Sequence, residues 1–345
     1  MKTILCTLYN SLYLDKGLVL YDSLCKCAKD FKLYVLCMDD KCYEILTDLN
    51  QEHHIPVRLS DFEKGDVALL QAKGNRSVGE YCWTCSSSLI RYVLKHYGED
   101  SCTYIDADMY FYNDPQVLID EMINAGKSVM VVPHRFPDDK TELAKKTGTY
   151  CVEFNTFLNT PDSFEALEYW RGRCLECCSN IGDGIHWGDQ KYLEELVAKY
   201  DCVYPCNNPG AGIAPWNISS YQGTDDNGNA VIFTPTGQRI DVIFYHYQGL
   251  TYVTREKVST AIMAKRADVD YTLVDHLYCH YLYCIDKKKQ WLDDVYGINL
   301  LIKSHPAVGK GKGIKSLFRG TPVYTMLKKL YARIRGTEQY FITIT

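Results

Sequence analysis

The amino-acid sequence predicts an α/β fold in which a mostly parallel sheet is flanked by helices and followed by a helical C-terminal extension. The first observation is that buried-strand patterns alternate with helical patterns through the first half of the chain. The second is that polar residues follow two of these strands directly, as Tyr9-Asn10 and Asp106-Ala107-Asp108 do. Because ligands of such sheets bind beyond the carboxyl ends of the strands, these residues indicate where a site lies.

The individual elements follow from the spacing of the apolar residues. Strands are predicted at 3–8, 32–38, 102–105, 129–132, 152–158 and 242–245. Helices are predicted at 17–28, 41–50, 115–125, 163–173 and 271–294. Ser86, Ser87 and Ser88 are predicted near the start of a further helix, which leads into the strand before Asp106. Residues 182–188 and 210–217 are interpreted as loops, and 225–229 as a hairpin turn.

Length and composition limit the class of protein. A chain of 345 residues suits one large α/β domain with appendages, or two domains. We assign residues 1–250 to the main domain, 251–295 to a helical extension and 296–345 to a tail. A hydrophobic content of 46% and a charged content of 23% exclude global disorder. The net charge of −5 argues against a general nucleic-acid binder.

The C-terminal tail differs in charge from the rest of the chain. Between Asp294 and Glu338 the sequence has nine basic residues and no acidic one, so about −14 remains for the other residues. From Pro322 onward, apolar and basic residues alternate as in an amphipathic helix that binds anionic membrane surfaces. The alternative is a helix that packs on the domain and leaves a basic face in water.

The cysteines and the N-terminus favour a cytoplasmic protein. The 16 cysteines are scattered, and Cys82 and Cys85 form a CxxC without a second CxxC at zinc-ribbon spacing. We interpret most of them as small buried residues in a reducing compartment, with a structural zinc as the less favoured alternative. The N-terminus does not resemble a signal peptide, and no apolar run reaches the length of a membrane span. Peripheral attachment to the cytoplasmic membrane face would depend on the tail.

Two carboxylates one residue apart at the end of a buried strand suit a divalent cation, although the motif by itself favours a simple turn. Burying Asp106 and Asp108 is costly unless a positive charge meets them. Hard oxygen donors suit Mg²⁺ or Mn²⁺, and such an ion could also hold a diphosphate. The alternative is that both residues only form an Asx turn before a helix.

Further motifs occur in a characteristic order along residues 1–250. They are Thr7-Leu8-Tyr9-Asn10, Gly17, Tyr21-Asp22-Ser23-Leu24, Arg91, Asp106-Ala107-Asp108, Phe154-Asn155, Trp187-Gly188-Asp189-Gln190, His246 and Gly249. In this order they resemble the motifs of nucleotide-diphospho-sugar glycosyltransferases of GT-A fold, most closely those of glycosyltransferase family 8. One such motif is weak, whereas the ordered set is fairly specific.

The resemblance implies a metal site and a nucleotide site. Asp106, Asp108 and His246 would hold one Mn²⁺ or Mg²⁺ ion, and Ala107 would lie within the same donor-binding motif. Arg91 would contact a phosphate or the sugar region, for which its bidentate guanidinium is suited. An exposed helix arginine is the alternative.

The resemblance also implies contacts to the base and to the donor sugar. Thr7, Tyr9 and Asn10 would contact the base and ribose, with Tyr9 stacking on the base. Asn155, Asp189 and Gln190 would surround the donor sugar, with Gln190 near the anomeric carbon. Asp189 at a helix start could also act only as a cap for backbone N–H groups.

The sequence departs from the family pattern at two points. The family continues from its histidine as His-x-x-Gly-x-x-Lys, but Tyr252 stands at the lysine position here. The phosphate contact of that lysine would pass to Arg255, to Arg91 or to no residue. The usual Asn-Ser-Gly turn is Asn155-Thr156-Phe157 here. These departures weaken the expectation that the anomeric configuration is retained.

The function that the sequence favours is a metal-dependent glycosyltransferase. The expected donor is a nucleotide-diphosphate hexose, with UDP as the family-level expectation. The expected acceptor is a glycan or a lipid-linked glycan in cell-surface polysaccharide synthesis. One alternative is a nucleotide-sugar-binding protein without catalysis. A phosphatase with an aspartate nucleophile is a weaker one, because Met109 follows the motif where that class has Thr or Val.

Overall fold

A computed structural model of the chain describes residues 2–179, 186–226, 229–234, 236–253, 257–264, 268–300 and 341–343. In this part of the chain the strands are β1 (Thr3–Tyr9), β2 (Phe31–Cys37), β3 (His54–Arg58), β4 (Ser101–Ile105), β5 (Met109–Phe111), β6 (Val129–Pro133), β7 (Tyr150–Leu158), β8 (Val203–Pro205), β9 (Gln222–Asp226), β10 (Asn229–Phe233), β11 (Arg239–Asp241), β12 (Phe244–His246), β13 (Thr251–Tyr252), β14 (Lys257–Ser259) and β15 (Phe341–Thr343). The α-helices are α1 (Leu14–Cys27), α2 (Asp40–Leu49), α3 (Leu59–Glu63), α4 (Val67–Lys73), α5 (Val78–Tyr92), α6 (Gln116–Asn124), α7 (Thr141–Thr147), α8 (Pro161–Glu176), α9 (Leu193–Lys199) and α10 (Tyr271–Tyr296).

A seven-stranded sheet in the order β3-β2-β1-β4-β7-β6-β8 forms the centre of the fold. Strands β3, β2, β1 and β4 run parallel to one another, and β6 runs parallel to β8. The exception is β7, which is antiparallel to both β4 and β6. The predicted mostly parallel sheet is confirmed. The reversed strand places its first residues at the edge of the sheet where β4 ends.

Helices cover both faces of this sheet. Leu5 and Leu33 pack into one apolar cluster with α1, α2 and α6, whereas Cys6 and Tyr34 pack into a second with α5, α8 and α9. Side chains of successive strand residues point to opposite faces, so strands buried on both sides are apolar nearly throughout. That is why the first strands could be recognised in the sequence.

Helix α10 confirms the predicted helical extension and packs against α1. Lys288 Nζ lies 2.8 Å from Asp22 Oδ2, and the ring of Tyr281 stacks on that of Tyr247 with 3.7 Å between the centroids. Whether a boundary separates residues 1–250 from 251–295 stays a prediction. The predicted tail helix from Pro322 onward lies outside the described residues, as does most of the predicted loop at 182–188.

One prediction about α5 is wrong. Ser86 to Ser88 lie in the second half of the helix, because α5 already begins at Val78. Its N-terminus is a capping box in which the Ser77 and Glu80 side chains and backbone N–H groups bond reciprocally. The serines therefore face the interior of the fold, and all three are buried.

The described cysteines and helices bear on the expected reducing compartment and on the question of a membrane span. All 16 cysteines lie in the described part of the chain, and all are free thiols. None of the helices in that part combines the length and the hydropathy that a membrane span requires.

Gly17 is required where α1 crosses Tyr9. A Cβ atom at Gly17 would lie 2.3 Å from Tyr9 Cζ, and the Tyr9 ring is buried with its hydroxyl 3.3 Å from His54 Nε2. We expect Gly17→Ala to lower the free energy of unfolding by about 1–3 kcal/mol through overpacking. Chemical denaturation measures this. Gly172→Ala in α8 is the matched control, since its Cβ would meet no atom within 4 Å. Equal stability of the two variants would contradict the packing argument.

His54 makes the fold sensitive to acid. Burial lowers its pKa from 6.5 to about 4. At pH values between these two, the unfolded chain binds a proton at His54 and the folded chain does not. The contribution of His54 to stability is therefore full above about pH 6.5 and is lost as the pH falls toward 4. Between pH 7.5 and pH 5 the loss is roughly 2 kcal/mol.

Urea denaturation at both pH values tests this prediction. We expect His54→Asn to reduce the acid-induced loss of stability, whereas His53→Asn on the same turn should leave it unchanged. An acid-induced loss that is the same in wild type and His54→Asn would contradict the assignment.

Candidate functional site

The two aspartates of the motif follow β4 at the carboxyl edge of the sheet. β5, which comes directly after them, pairs antiparallel with β12, with Met109 opposite His246. The backbone N–H of Tyr247 donates to the carbonyl oxygen of Asp108 at 2.8 Å. This pairing brings His246 to Asp106 and Asp108, which are more than a hundred residues away in sequence.

The imidazole of His246 contacts both carboxylates through one ring nitrogen. Its Nε2 lies 3.1 Å from Asp108 Oδ1 and 3.6 Å from Asp106 Oδ2. The His246 side chain is 4% exposed and that of Asp108 15%, whereas that of Asp106 is 32% exposed. The cluster is thus buried on the protein side and open to solvent at Asp106.

Glu153 holds the other ring nitrogen of His246. Its Oε2 lies 2.7 Å from His246 Nδ1, and its side chain is fully buried in β7. The backbone N–H of Asp106 also donates to the Glu153 carbonyl oxygen at 3.3 Å. With Nδ1 engaged by a carboxylate, the ring directs Nε2 at the two aspartates, which is how proteins orient a metal-binding histidine.

The loop of residues 210–217 forms a backbone hydrogen bond with β12. The backbone N–H of His246 donates to the Ile213 carbonyl oxygen at 3.0 Å. Gly212 has φ +76°, and a Cβ atom there would lie 2.9 Å from Arg135 Nη1. Arg135 in turn donates to the carbonyl oxygen of Ala211 at 2.6 Å. Residues 210–217, expected to be a loop that lines a pocket, form a loop next to His246.

The charges in the cluster are strongly coupled. Burial would lower the pKa of His246, but its hydrogen bonds to Asp108, Cys151 and Glu153 raise that pKa well above the ordinary value. Burial would raise the pKa of Asp108, but Lys16 and His246 hold it well below the usual range. Burial raises the pKa of Asp106 to about 6, with His246 opposing and Asp108 adding to the shift. In the metal-free protein, Asp108 therefore lies between two basic side chains, Lys16 and His246.

The donor set at Nε2 fits a hard divalent cation. Two carboxylates and an imidazole are ligands that Mn²⁺ or Mg²⁺ accepts, and only neutral imidazole can take part. Among the described residues, a second group of potential metal ligands also includes His246. The ligand atoms of Cys151, Glu153 and His246 all lie within 4.8 Å of one another. Burial and the charge of Glu153 raise the pKa of the Cys151 thiol to about 12, and sulfur is not a ligand that Mn²⁺ or Mg²⁺ prefers.

Asp189 forms the second part of the site, below α5. Ser86 Oγ donates to Asp189 Oδ2 at 2.7 Å, and Trp170 Nε1 donates to the Asp189 carbonyl oxygen at 2.9 Å. Burial raises the pKa of Asp189 to about 7, the hydrogen bond from Ser86 opposes the shift, and the charge of Asp106 adds to it. Tyr104 donates to Asp106 Oδ1 at 3.2 Å, and burial together with the charges of Asp106 and Asp189 raises the Tyr104 pKa. Asp189 is thus electrostatically linked to the aspartate pair.

The other two expected sugar contacts have different surroundings. Gln190 Nε2 donates to the Thr147 carbonyl oxygen at 2.6 Å, so its amide is engaged by the end of α7. Asn155 is fully buried in β7, and neither amide atom has a hydrogen-bond partner among the described residues. Both residues would need a local rearrangement before they could touch a sugar.

The residues at the end of β1 do not present an open binding face. Tyr9 is 3% exposed and packs against Gly17 and His54, so its ring is not placed to stack on a base. Thr7 is fully buried, and the Asn10 side chain accepts from the Leu12 backbone N–H at 3.1 Å as a helix cap. Because α1 covers the ring, stacking of Tyr9 on a base would require α1 to move, and the predicted contact stays a prediction.

Ala107 and Arg91, which the resemblance also implies as site residues, have different surroundings. Ala107 is buried in the apolar cluster below α1, between the two aspartates. Arg91 Nε lies 2.5 Å from Glu168 Oε1 of α8. Its guanidinium is therefore paired with a helix carboxylate, and this contact does not favour a phosphate-binding role.

Three residues of the site were not predicted from the sequence: Glu153 and Lys16, which contact the cluster, and Ser86, which contacts Asp189. Glu153 precedes Asn155 by two positions on the reversed strand β7, and a lone buried glutamate in a strand pattern was the available signal. Ser86 was noticed only as part of a helix start. Lys16 Nζ, in the first turn of α1, lies 3.7 Å from Asp108 Oδ2, but a helix lysine next to Asp15 gives no signal in the sequence.

Comparison of the fold identifies its class. The solved structure of the bifunctional glycosyltransferase WbbM matches the chain with a TM-score of 0.50 and 14% identity, over 86% of this chain and 51% of WbbM. At this identity the likeness concerns the fold alone. A mostly parallel seven-stranded sheet flanked by helices is the architecture of GT-A glycosyltransferases, and the predicted fold class is confirmed.

Comparison of the sequence identifies the family. The chain is 30% identical to the uncharacterized protein YfnD of Bacillus subtilis over 292 residues, which are 84% of this chain and 89% of YfnD. It is 28% identical to YfnF of the same organism over 300 residues, which are 85% of this chain and 96% of YfnF. No protein-family model matches the chain. The protein belongs to the family of YfnD.

Glu153 gives the first test of the cluster. We expect Glu153→Gln to weaken Mn²⁺ binding by roughly tenfold to a hundredfold, because an amide orients and polarises the imidazole less well than a carboxylate. Titration followed by the electron paramagnetic resonance of free Mn²⁺ measures this. Glu142→Gln, an exposed carboxylate that pairs with Lys145, is the matched control. If Glu153→Gln binds Mn²⁺ as wild type does, Glu153 does not position His246 for a metal.

Proposed function

We propose that the protein is a metal-dependent glycosyltransferase that takes a sugar from a nucleoside-diphosphate donor. The observation that carries the proposal is the convergence of Asp106, Asp108 and His246 Nε2 at the carboxyl edge of a GT-A sheet, with Glu153 bound to Nδ1. A bound Mn²⁺ or Mg²⁺ would supply Lewis-acid stabilisation to the departing diphosphate. The arrangement favours a metal site over the alternative that Asp106 and Asp108 only form an Asx turn. Such a turn would require neither His246 nor Glu153.

The protein residues have separate tasks in this proposal. Asp106 and Asp108 hold the cation with His246, and Glu153 fixes the tautomer of the imidazole. Asp189 accepts hydrogen bonds from sugar hydroxyls, for which Ser86 holds one of its oxygens and leaves the other available. Gln190 would reach the anomeric carbon after its bond to the Thr147 carbonyl oxygen opens.

We propose that the donor is a UDP-hexose, that the acceptor is a glycan or lipid-linked glycan of the cell surface, and that the configuration is retained as in family 8. A cytoplasmic location agrees with 16 free thiols. A peripheral membrane contact would depend on the tail beyond residue 300. His246 and Gly249 support placement near family 8, and Tyr252 at the lysine position does not.

Metal-dependent donor binding tests the proposal. We expect wild-type protein to bind at least one member of a panel of nucleotide sugars in Mn²⁺ and to lose that binding in EDTA. Asp108→Asn should weaken donor binding by roughly a hundredfold, since it removes a charged ligand. Isothermal titration calorimetry measures both effects. Asp120→Asn, an exposed residue of α6 that accepts from Gln116, is the control and should bind as wild type does.

The outcomes separate the candidate functions. Absence of metal-dependent binding to every nucleotide sugar would refute the transferase. Binding together with release of the nucleoside diphosphate, to water or an acceptor, supports it. Binding without release under any condition would instead identify a nucleotide-sugar-binding protein, for which the engaged amide of Gln190 is the favouring observation.

A further inference from the structure

We propose that Lys16 of α1 binds the diphosphate of the nucleotide donor and replaces the lysine that is missing after Gly249. The inference rests on the proposed function and adds to it a residue that no motif indicated. Its basis is the position of Lys16 relative to Asp108, to His246 and to the residue at position 252.

Lys16 lies beside the aspartate pair, at the opposite side of Asp108 from His246. Its Nζ is 3.7 Å from Asp108 Oδ2, whereas Oδ1 of the same carboxylate contacts His246 Nε2 at 3.1 Å. A separation of 3.7 Å is an ion pair and too long for a hydrogen bond, so the ammonium does not donate to Asp108. Nζ also lies 4.3 Å from the centroid of the Tyr13 ring. With its side chain 13% exposed, Lys16 is fixed at the border of the site.

A bound cation would compete with Lys16 for the charge of Asp108. A divalent ion neutralises Asp106 and Asp108, and His246 must be neutral to act as a ligand. Glu153 is engaged at the far nitrogen of that imidazole. Asp108 is then shared with the ion, while Asp15 remains an acidic neighbour of Lys16, and the ammonium can take a further anionic partner. A phosphate oxygen bound to the same ion would compensate it through a charge-assisted hydrogen bond.

The position where the family pattern has a lysine is occupied differently here. Tyr252 donates from its hydroxyl to Asp286 Oδ1 at 2.7 Å, and Lys289 Nζ lies 3.1 Å from the centroid of its ring. Lys289 is itself 3.9 Å from Asp15 Oδ2, and both side chains are 7% exposed. Two lysines therefore lie in this region, Lys16 of α1 and Lys289 of α10. Of the two lysines, Lys16 is the one that borders Asp108.

The other candidates for the phosphate contact are less suited. Arg91 is paired with Glu168 of α8. Arg255 lies outside the described residues. Lys289 is buried between Asp15 and the Tyr252 ring, and burial lowers its pKa. By contrast, Lys16 Nζ lies 3.7 Å from Asp108 Oδ2, at the border of the site.

Two binding measurements with opposite expected signs test the role of Lys16. The first is the affinity for UDP in Mn²⁺, by calorimetry, and the second is the affinity for Mn²⁺ alone, by electron paramagnetic resonance. We expect Lys16→Met to bind UDP at least about tenfold more weakly, because a charge-assisted contact is lost. The same variant should bind Mn²⁺ alone as tightly as wild type or more tightly, because a neighbouring cation has been removed.

The control is Lys26→Met in the last turn of the same helix, where Nζ donates to the Tyr110 hydroxyl at 3.2 Å. It should leave both affinities unchanged. Lys16→Arg should recover part of the UDP affinity, since it restores the positive charge. Thermal unfolding of each variant checks that the fold persists.

The results separate the inference from the proposed function. If wild type does not bind UDP in Mn²⁺ at all, the proposed function fails. If wild type binds UDP and Lys16→Met binds it equally well, only the role of Lys16 is refuted. If Lys16→Met loses affinity for Mn²⁺ alone together with UDP, Lys16 supports the architecture of the aspartate pair and does not bind the diphosphate.

Discussion

The imidazole of His246, held between Glu153 and Asp108, is the interaction on which the rest of the site depends. A fully buried glutamate without a partner would be strongly unfavourable, and the contact from Glu153 Oε2 to His246 Nδ1 at 2.7 Å removes that cost at one oxygen. The same contact leaves Nε2 for the aspartates. Because His246 sits at the end of β12, the pairing of β12 with β5 is what sets this geometry. The fold thus fixes the ring from two directions before any ligand binds.

The reversed strand β7 explains why a carboxylate is available behind the histidine. In an all-parallel sheet the residues near the start of β7 would lie at the opposite edge, far from Asp106. Its antiparallel register places Phe154 opposite Ile105 and therefore puts Glu153 next to the aspartate motif. Across the cluster, Lys16 supplies the one positive charge that contacts Asp108 from α1. The arrangement of negative and positive groups suits a cation that is shared with an anionic substrate.

The sequence allowed the sheet and the position of the aspartate motif to be predicted, because both follow from local pattern. Apolar runs identify buried strands, and Asp106-Ala107-Asp108 ends one of them. His246 was identified through an ordered resemblance and not through its own surroundings. Glu153 and Lys16 escaped prediction because their roles arise from contacts between distant elements. The burial of Tyr9 was not predicted either, because it arises from the contact of its ring with Gly17 of α1.

The most direct test of the central claim is a crystal structure of the protein with Mn²⁺ and UDP. We expect an anomalous manganese signal bound by Asp106, Asp108 and His246 Nε2, with the diphosphate of UDP on the same ion. A manganese ion on the Nδ1 side of His246, bound by Glu153 and Cys151, would contradict the account. UDP bound in a different part of the protein would contradict it as well.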